Sequence, residues 1–375
     1  MPERSILEEL QASFQKKEKS DWIHIASTEV NAQDPLKKLQ WIDKDQLTFL
    51  PYYDKSDLPL DYRDNFQLQP DSRIFLGQRG WYNLSPVAVT EERYANEASH
   101  KHVMHGADGI ILDIRKKDVK LSTLLDGIEW PFCNMSFVSS EETSLPDEII
   151  NHCNNKSYSS EKIEGSIFWR NPPSFMESFR QFRDFKKFHC AGIFIEHSTP
   201  SVEIANALFH GVNSVNNFID NDVATEIALQ SISFSLTSDK EFFISIAKFK
   251  ALRMLWYQVS QAYGCTQFKP DDLHLHARSE VLVDQNYYPH GNMLKSTASS
   301  IAAICGGCNS LTVYGEDEDN TMMQRMARNT PVILREESYL SKVADPLAGS
   351  YALEVMINTL AKESWQKFQS LSADL

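Results

Sequence analysis

From about residue 73 the chain alternates short apolar runs with longer amphipathic stretches, and that rhythm is what most limits the folds open to it. The runs are IFLGQ (74–78), GIILDI (109–114), PFCNMSF (131–137), GSIFW (165–169), AGIFIE (191–196), SISFSL (231–236), LHLHARS (273–279) and NSLTVY (309–314). They are continuous rather than alternating, which is how parallel strands buried on both faces read. Between most of them lie helical patterns such as EERYANEASHKHVMHG, SVEIANALFHGVNSVNNFI, KEFFISIAKFKALRMLWYQVSQAYG and GNMLKSTASSIAAICGG. Eight strand–helix units over about 250 residues have the size of an α/β (β/α)8 TIM barrel. An open doubly wound sheet satisfies the same alternation and stays in play.

The segment before the barrel reads differently. Residues 1–22 predict a polar helix carrying Ile6, Leu7, Leu10 and Phe14 at helical spacing. From Ala32 to Pro70, Trp41, Phe49, Tyr52, Tyr53, Tyr62 and Phe66 sit among turn-formers. Left free, they would expose too much apolar surface, so the spacing predicts an extended arm packed on a larger body. The division is therefore an arm over 1–72 that serves subunit contact, then a barrel over 73–375 ending in a helix.

Charge narrows the function. With 37 Lys+Arg against 51 Asp+Glu, the formal net charge is −14. A surface that acidic disfavours nonspecific contact with nucleic acid or anionic membrane, though it leaves room for a local basic pocket that takes a phosphorylated ligand. No apolar run approaches the roughly 20 residues of a membrane span. The N-terminus has no apolar signal core, and six cysteines do not suggest a disulfide scaffold. A cytoplasmic location is the expectation.

The sequence has no G-x-G-x-x-G, G-x-x-x-x-G-K-[ST], H-E-x-x-H or G-x-S-x-G. Cys305 and Cys308 form a lone CxxC, which without a second ligand pair reads as packed thiols at a Gly-rich helix end. His274 and His276 share one face of a predicted strand, as an interior polar layer or a ligand contact. His100, His102 and His105 cluster on one helix, and we expect that surface to face solvent or a subunit. His189 and His197 bracket the strand CAGIFIE, and His197 falls where a barrel's functional rim would lie. In Asp345-Pro-Leu-Ala-Gly-Ser-Tyr351, Asp and Pro set a rigid corner and Gly349 permits positive φ.

This last segment carries a resemblance. RMARNTPVILREESYLSKVADPLAGSYALEVMINTLAKESW (325–365) closely resembles the end of the substrate-binding barrel of the methylmalonyl-CoA mutase family. IAKFKALRMLW (246–256), NMLKSTASSIAAICGGCNSLTV (292–313) and LTFLPYYDKSDL in the arm are similar to family segments in the same order. The resemblance implies an arm and a (β/α)8 barrel that binds acyl-CoA along its axis. It also implies adenosylcobalamin, held by a separate C-terminal domain, and a radical rearrangement whose hard chemistry belongs to the cofactor.

Two departures from the family decide what we expect of this chain. No D-x-H-x-x-G cobalt-ligating motif occurs, and a cobalamin-binding domain is not expected, so none is expected to be bound by this chain alone. The family's catalytic positions also look erased. Arg79, in Gly77-Gln-Arg-Gly-Trp81, stands where the family carries a Tyr. Phe194, in Ala191-Gly-Ile-Phe-Ile-Glu196, stands where it carries a His that hydrogen-bonds a thioester carbonyl. A phenyl ring donates nothing to that carbonyl, and losing one such donor costs about 10²–10³ in rate.

Degenerate acyl-CoA-binding positions would be His274, His276, Arg278, Ser233 and Asn309, and Arg170 could match the arginine that takes the substrate carboxylate. This pattern is similar to the family's noncatalytic small (beta) subunit, so the expected partner is a catalytic large (alpha) subunit or a second copy of the chain. A split mutase barrel working with a separate cobalamin-binding chain is the alternative.

Overall fold

The computed structural model describes residues 17–58, 68–69, 79–116, 118–140, 144–172, 175–280, 291–317 and 320–373. In the arm, β1 (Trp41–Ile42) and β2 (Thr48–Phe49) form a small antiparallel hairpin. The remaining strands are β3 (Tyr82–Val89), β4 (Gly109–Ile114), β5 (Asn134–Ser139), β6 (Gly165–Trp169), β7 (Phe188–Phe194), β8 (Ile232–Ser238), β9 (His274–Ser279) and β10 (Ser310–Thr312). All pair in parallel and close into a barrel in the order β10-β3-β4-β5-β6-β7-β8-β9. Closure excludes the open doubly wound sheet.

Seven of the eight apolar runs become barrel strands, two with the same ends (109–114 and 165–169) and five with shifted ones. The run at 74–78 lies outside the described residues. The place between β10 and β4 is taken by β3, which the sequence reading did not expect. Asn83, Ser85 and Pro86 break the apolar character of that strand, and Pro86 has no N–H to give to a ladder. Parity still holds: Val87 and Val89 join the outer core, while Leu84 joins a separate inner cluster.

Outside the barrel, the helices Pro200–Asp220, Phe242–Ala262 and Tyr351–Ala373 pack against one another. The middle one is buried on nearly every side from Ile244 to Trp256. Gly211 lets the first approach it: a Cβ there would lie 2.6 Å from the Trp256 ring and 2.9 Å from the Phe234 ring.

The described part of the arm is docked on the helices around the barrel. Phe49 is buried against Trp41, with ring centroids 5.2 Å apart. Asp45 is the anchor. Its carboxylate accepts from Ser201 N at 2.8 Å and from the Thr199 and Ser201 hydroxyls. It thus caps the helix Pro200–Asp220, and Lys367 of the last helix reaches it at 3.0 Å. Residues 1–16, Tyr62 and Phe66 lie outside the described residues. Among the described residues, no helix is long and apolar enough to cross a membrane.

The Gly211 contact yields a prediction. Gly211→Val should destabilise the protein by about 1–3 kcal/mol, because the packed indole of Trp256 cannot retreat. Asn213→Ala, on the exposed face of the same helix, should stay within about 0.5 kcal/mol of the parent. Urea unfolding of the two variants checks both.

Candidate functional site

The inward side chains of the barrel form a column. At its centre Leu84, Ile111, Val138, Phe168 and Phe194 pack together as one buried cluster, separate from the core between strands and helices. Phe168 is fully buried and stacks on the His276 ring, with centroids 5.0 Å apart and planes within 21°. Phe194, at the C-terminal end of β7, lies between two guanidinium groups: Arg278 sits 3.5 Å from its ring centroid and Arg170 sits 4.1 Å from it. Each such contact contributes about 1–2 kcal/mol when desolvated. The bore is therefore filled by aromatic and aliphatic side chains from five strands.

His276 is satisfied within this column. Thr312 Oγ1 donates to the Leu84 carbonyl at 3.0 Å, so it accepts from His276 Nε2 at 2.9 Å. Nδ1 is then the acceptor for the Ser235 hydroxyl at 2.7 Å. Burial first, and Arg278 second, hold the ring well below the usual histidine range, so it is neutral. His274 lies one layer nearer the strand starts, against the His189 ring at 4.5 Å and Ser310 Oγ at 3.3 Å.

The other sequence-predicted residues divide between the two ends. Arg278 donates to the Ile195 carbonyl at 2.5 Å and to Thr237 Oγ1 at 3.3 Å, at the same end as Phe194. Ser233 faces inward beside Gly192, and its buried hydroxyl makes no hydrogen bond among the described residues. Asn309 lies at the opposite end, where its side-chain oxygen accepts from Leu275 N at 2.9 Å and Arg253 at 3.2 Å. Arg79 is there too. It donates to the Gly307 carbonyl at 2.8 Å and stands 3.9 Å from Asp271, both just before strand starts. Arg79 and Phe194 therefore do not share a mouth, and the substitution that bears on the bore is Phe194. Arg170 is engaged by Phe194, by Glu196 at 3.2 Å and by Asp113 at 3.5 Å.

The rim near β7 holds a charged network. His197 Nδ1 donates to Glu203 at 2.8 Å, and Lys248 grips the other Glu203 oxygen at 2.7 Å. Glu203 and Lys248 are almost fully buried. Burial alone would raise the Glu203 value, but Lys248 and His197 outweigh it and hold the carboxyl below its ordinary range. The Glu203 hydrogen bond in turn raises His197. His197, Asp239 and Glu280 place donor atoms within 4.8 Å of one another, in the manner of a metal site. Lys44 already neutralises Asp239 at 2.7 Å, so an ammonium group occupies that role.

Two further expectations meet their outcome here. His102 is buried, not exposed: it faces Arg328 at 3.4 Å, and burial and that arginine push it down to about 4. His100 and His105 stay on the surface and bond to the Asp126 and Lys101 carbonyls. Cys305 and Cys308 are buried and unpaired, and burial pushes the Cys308 thiol up to about 12.

The description of one family model, methylmalonyl-CoA mutase, fits residues 180–374, more than half of the 375. The chain belongs to the methylmalonyl-CoA mutase family. A methylmalonyl-CoA mutase small subunit of Porphyromonas gingivalis is 24% identical, in an alignment covering 97% of this chain and 64% of that protein. A probable methylmalonyl-CoA mutase small subunit of Mycobacterium bovis is 29% identical over 47% of this chain and 30% of its own length. A methylmalonyl-CoA mutase of Rhizobium meliloti is 32% identical over 38% and 20%. The chain thus spans less than two thirds of these mutase-family relatives. Sequence reasoning missed Phe168, Glu203 and Lys248 because GSIFW is apolar on both faces and the ion pair joins residues 45 positions apart.

Two predictions follow from this geometry. Phe168→Ala should cost about 3–5 kcal/mol in urea unfolding, as for a ring removed from a filled core; a cost under about 1 kcal/mol would mean the bore is not packed. For the rim, the His197 value lies above 6.5 in the folded state. Its stabilising contribution is full below that unfolded value and is lost as pH rises through the folded one. His197→Ala should therefore lower the urea midpoint more at about pH 6 than at about pH 9.

Proposed function

We propose that this chain is a noncatalytic barrel of a methylmalonyl-CoA mutase assembly and stabilises a catalytic large subunit. One observation carries the reading: the Arg278–Phe194–Arg170 stack and the Phe168–His276 stack fill the bore along which an acyl-CoA would have to thread. The ring face of Phe194 is taken by cations, and the phenyl ring itself donates nothing where the family resemblance implies an imidazole. The small-subunit names of the relatives support the same role.

Adenosylcobalamin supplies the radical chemistry in the family. The Phe194 mouth does not fit a substrate presented to it: Arg278 and Arg170 are committed to Phe194, Ile195, Glu196 and Asp113. We derive no catalytic step for this chain. Its contribution would be mass and surface.

Co-expression with the large mutase subunit of the same organism tests the proposal. We expect a stable complex at micromolar concentration and a large subunit with a higher thermal midpoint in that complex. Mutase turnover should be indifferent to Phe194→Ala in this chain. Absence of a complex overturns the reading. So does turnover of methylmalonyl-CoA by this chain with adenosylcobalamin and a separate cobalamin-binding chain.

A further inference from the structure

The loops that leave the barrel after β7, β8 and β9 bring His197, Asp239 and Glu280 together, with donor atoms all within 4.8 Å of one another. Asp239 is buried, whereas the His197 and Glu280 side chains are 33% and 26% exposed, so the cluster can be reached from solvent. The imidazole is held in one orientation. Glu203, fully buried behind it, accepts from Nδ1 at 2.8 Å, which fixes the tautomer of the neutral ring and leaves the lone pair on Nε2. Nε2 then faces Glu280 Oε1, 3.5 Å away. A lone pair and a carboxylate oxygen repel unless a cation stands between them. The other Glu280 oxygen is buried and makes no hydrogen bond among the described residues. A carboxylate behind a histidine is also the arrangement that orients imidazole ligands and raises their basicity in metal sites.

Charge points the same way. Among the groups in contact here, the carboxylates of Glu203, Asp239 and Glu280 face two ammonium groups, Lys248 on Glu203 and Lys44 on Asp239. Glu280 has no lysine or arginine in contact among the described residues. The cluster thus already draws in one cation, and that cation comes from the turn of the arm hairpin. The Lys44 side chain is 37% exposed, and Asp45 holds the backbone beside it on the helix Pro200–Asp220. The ammonium can therefore swing into solvent without undocking the arm. A divalent ion in its place leaves three negative charges facing three positive ones, with His197 neutral. Two ligands about 2.1 Å from a tetrahedral ion lie about 3.4 Å apart, close to the 3.5 Å between His197 and Glu280.

We propose that His197, Asp239 and Glu280 bind a first-row divalent transition ion of the zinc or cobalt kind, in exchange for the Lys44 ammonium. One imidazole and two carboxylates suit such an ion better than Mg²⁺ or Ca²⁺, which take oxygen ligands. Glu203 is the positioning residue behind His197. The site does not depend on the pairing role proposed above.

Titration of the tag-free, chelator-treated full chain with Co²⁺, followed by visible absorption, tests this. We expect Co²⁺ to bind with a Kd of about 100 μM or tighter, to be displaced by Zn²⁺, and to be retained in about 10 mM Mg²⁺. Lys44→Met removes the competing ammonium and should tighten Co²⁺ by about tenfold or more. His197→Ala and Glu280→Gln should each weaken it by about tenfold or more, and Glu280→Gln carries the test should His197→Ala fail to fold. His100→Ala, on a surface helix, should change nothing. Absence of binding to both the parent and Lys44→Met at about 1 mM Co²⁺ overturns the proposal. So does binding that survives loss of His197 or Glu280, that Lys44→Met leaves unchanged, or that Mg²⁺ matches.

Discussion

Closing eight parallel strands into a ring leaves one narrow column of space, and the side chains pointing into it must either fill it or line it for a guest. In this chain they fill it. Phe168 and Phe194 supply the bulk, and Leu84, Ile111 and Val138 close around them. The large polar neighbours are answered inside the column: His276 by Ser235 and Thr312, and Arg278 by the Phe194 face and the Ile195 carbonyl. The plug and the polar layer depend on each other, since His276 gives Phe168 its stacking surface and Phe168 keeps water from His276.

The same closure makes the proposed pairing role independent of what fills the bore. Its rigidity comes from the ring of strands and from the outer helices, none of which needs the bore to be open. Asp45 ties the arm to the start of one helix and, through Lys367, to the last helix. The surface such a molecule offers to another chain is therefore set by elements far from Phe194. The outer shape and the contents of the bore rest on different residues.

Most of the architecture was legible in the sequence because buried parallel strands are long apolar runs, and seven of them stood out. β3 was hidden because Asn83, Ser85 and Pro86 interrupt its apolar run with polar or N–H-free residues. The candidate site was half legible. Strand parity put His274 and His276 on one face and the family resemblance singled out Phe194, but neither says which end of the ring a loop residue reaches, and Arg79 went to the strand starts. His102 looked like a surface histidine because the residue that buries it, Arg328, is 226 positions away. Long-range pairs of this kind leave no periodic trace in either segment.

The buried cations sort themselves by how their charge is answered. Lys248 is held by Glu203 at 2.7 Å. Lys250 is held by Asp345 at 2.5 Å, which gives that corner of the chain its reason beyond turn geometry. Arg253 has no carboxylate in contact, yet it donates to the Pro270, Leu273 and Gly307 carbonyls, and its value still falls to about 9 through burial. Arg278 has a carbonyl, a hydroxyl and an aromatic face. Arg328 alone of these five has neither carboxylate nor carbonyl nor ring face, only a neutral imidazole nitrogen at 3.4 Å. The contrast is one of degree, since Nε of Arg253 and Nε of Arg278 also make no hydrogen bond among the described residues.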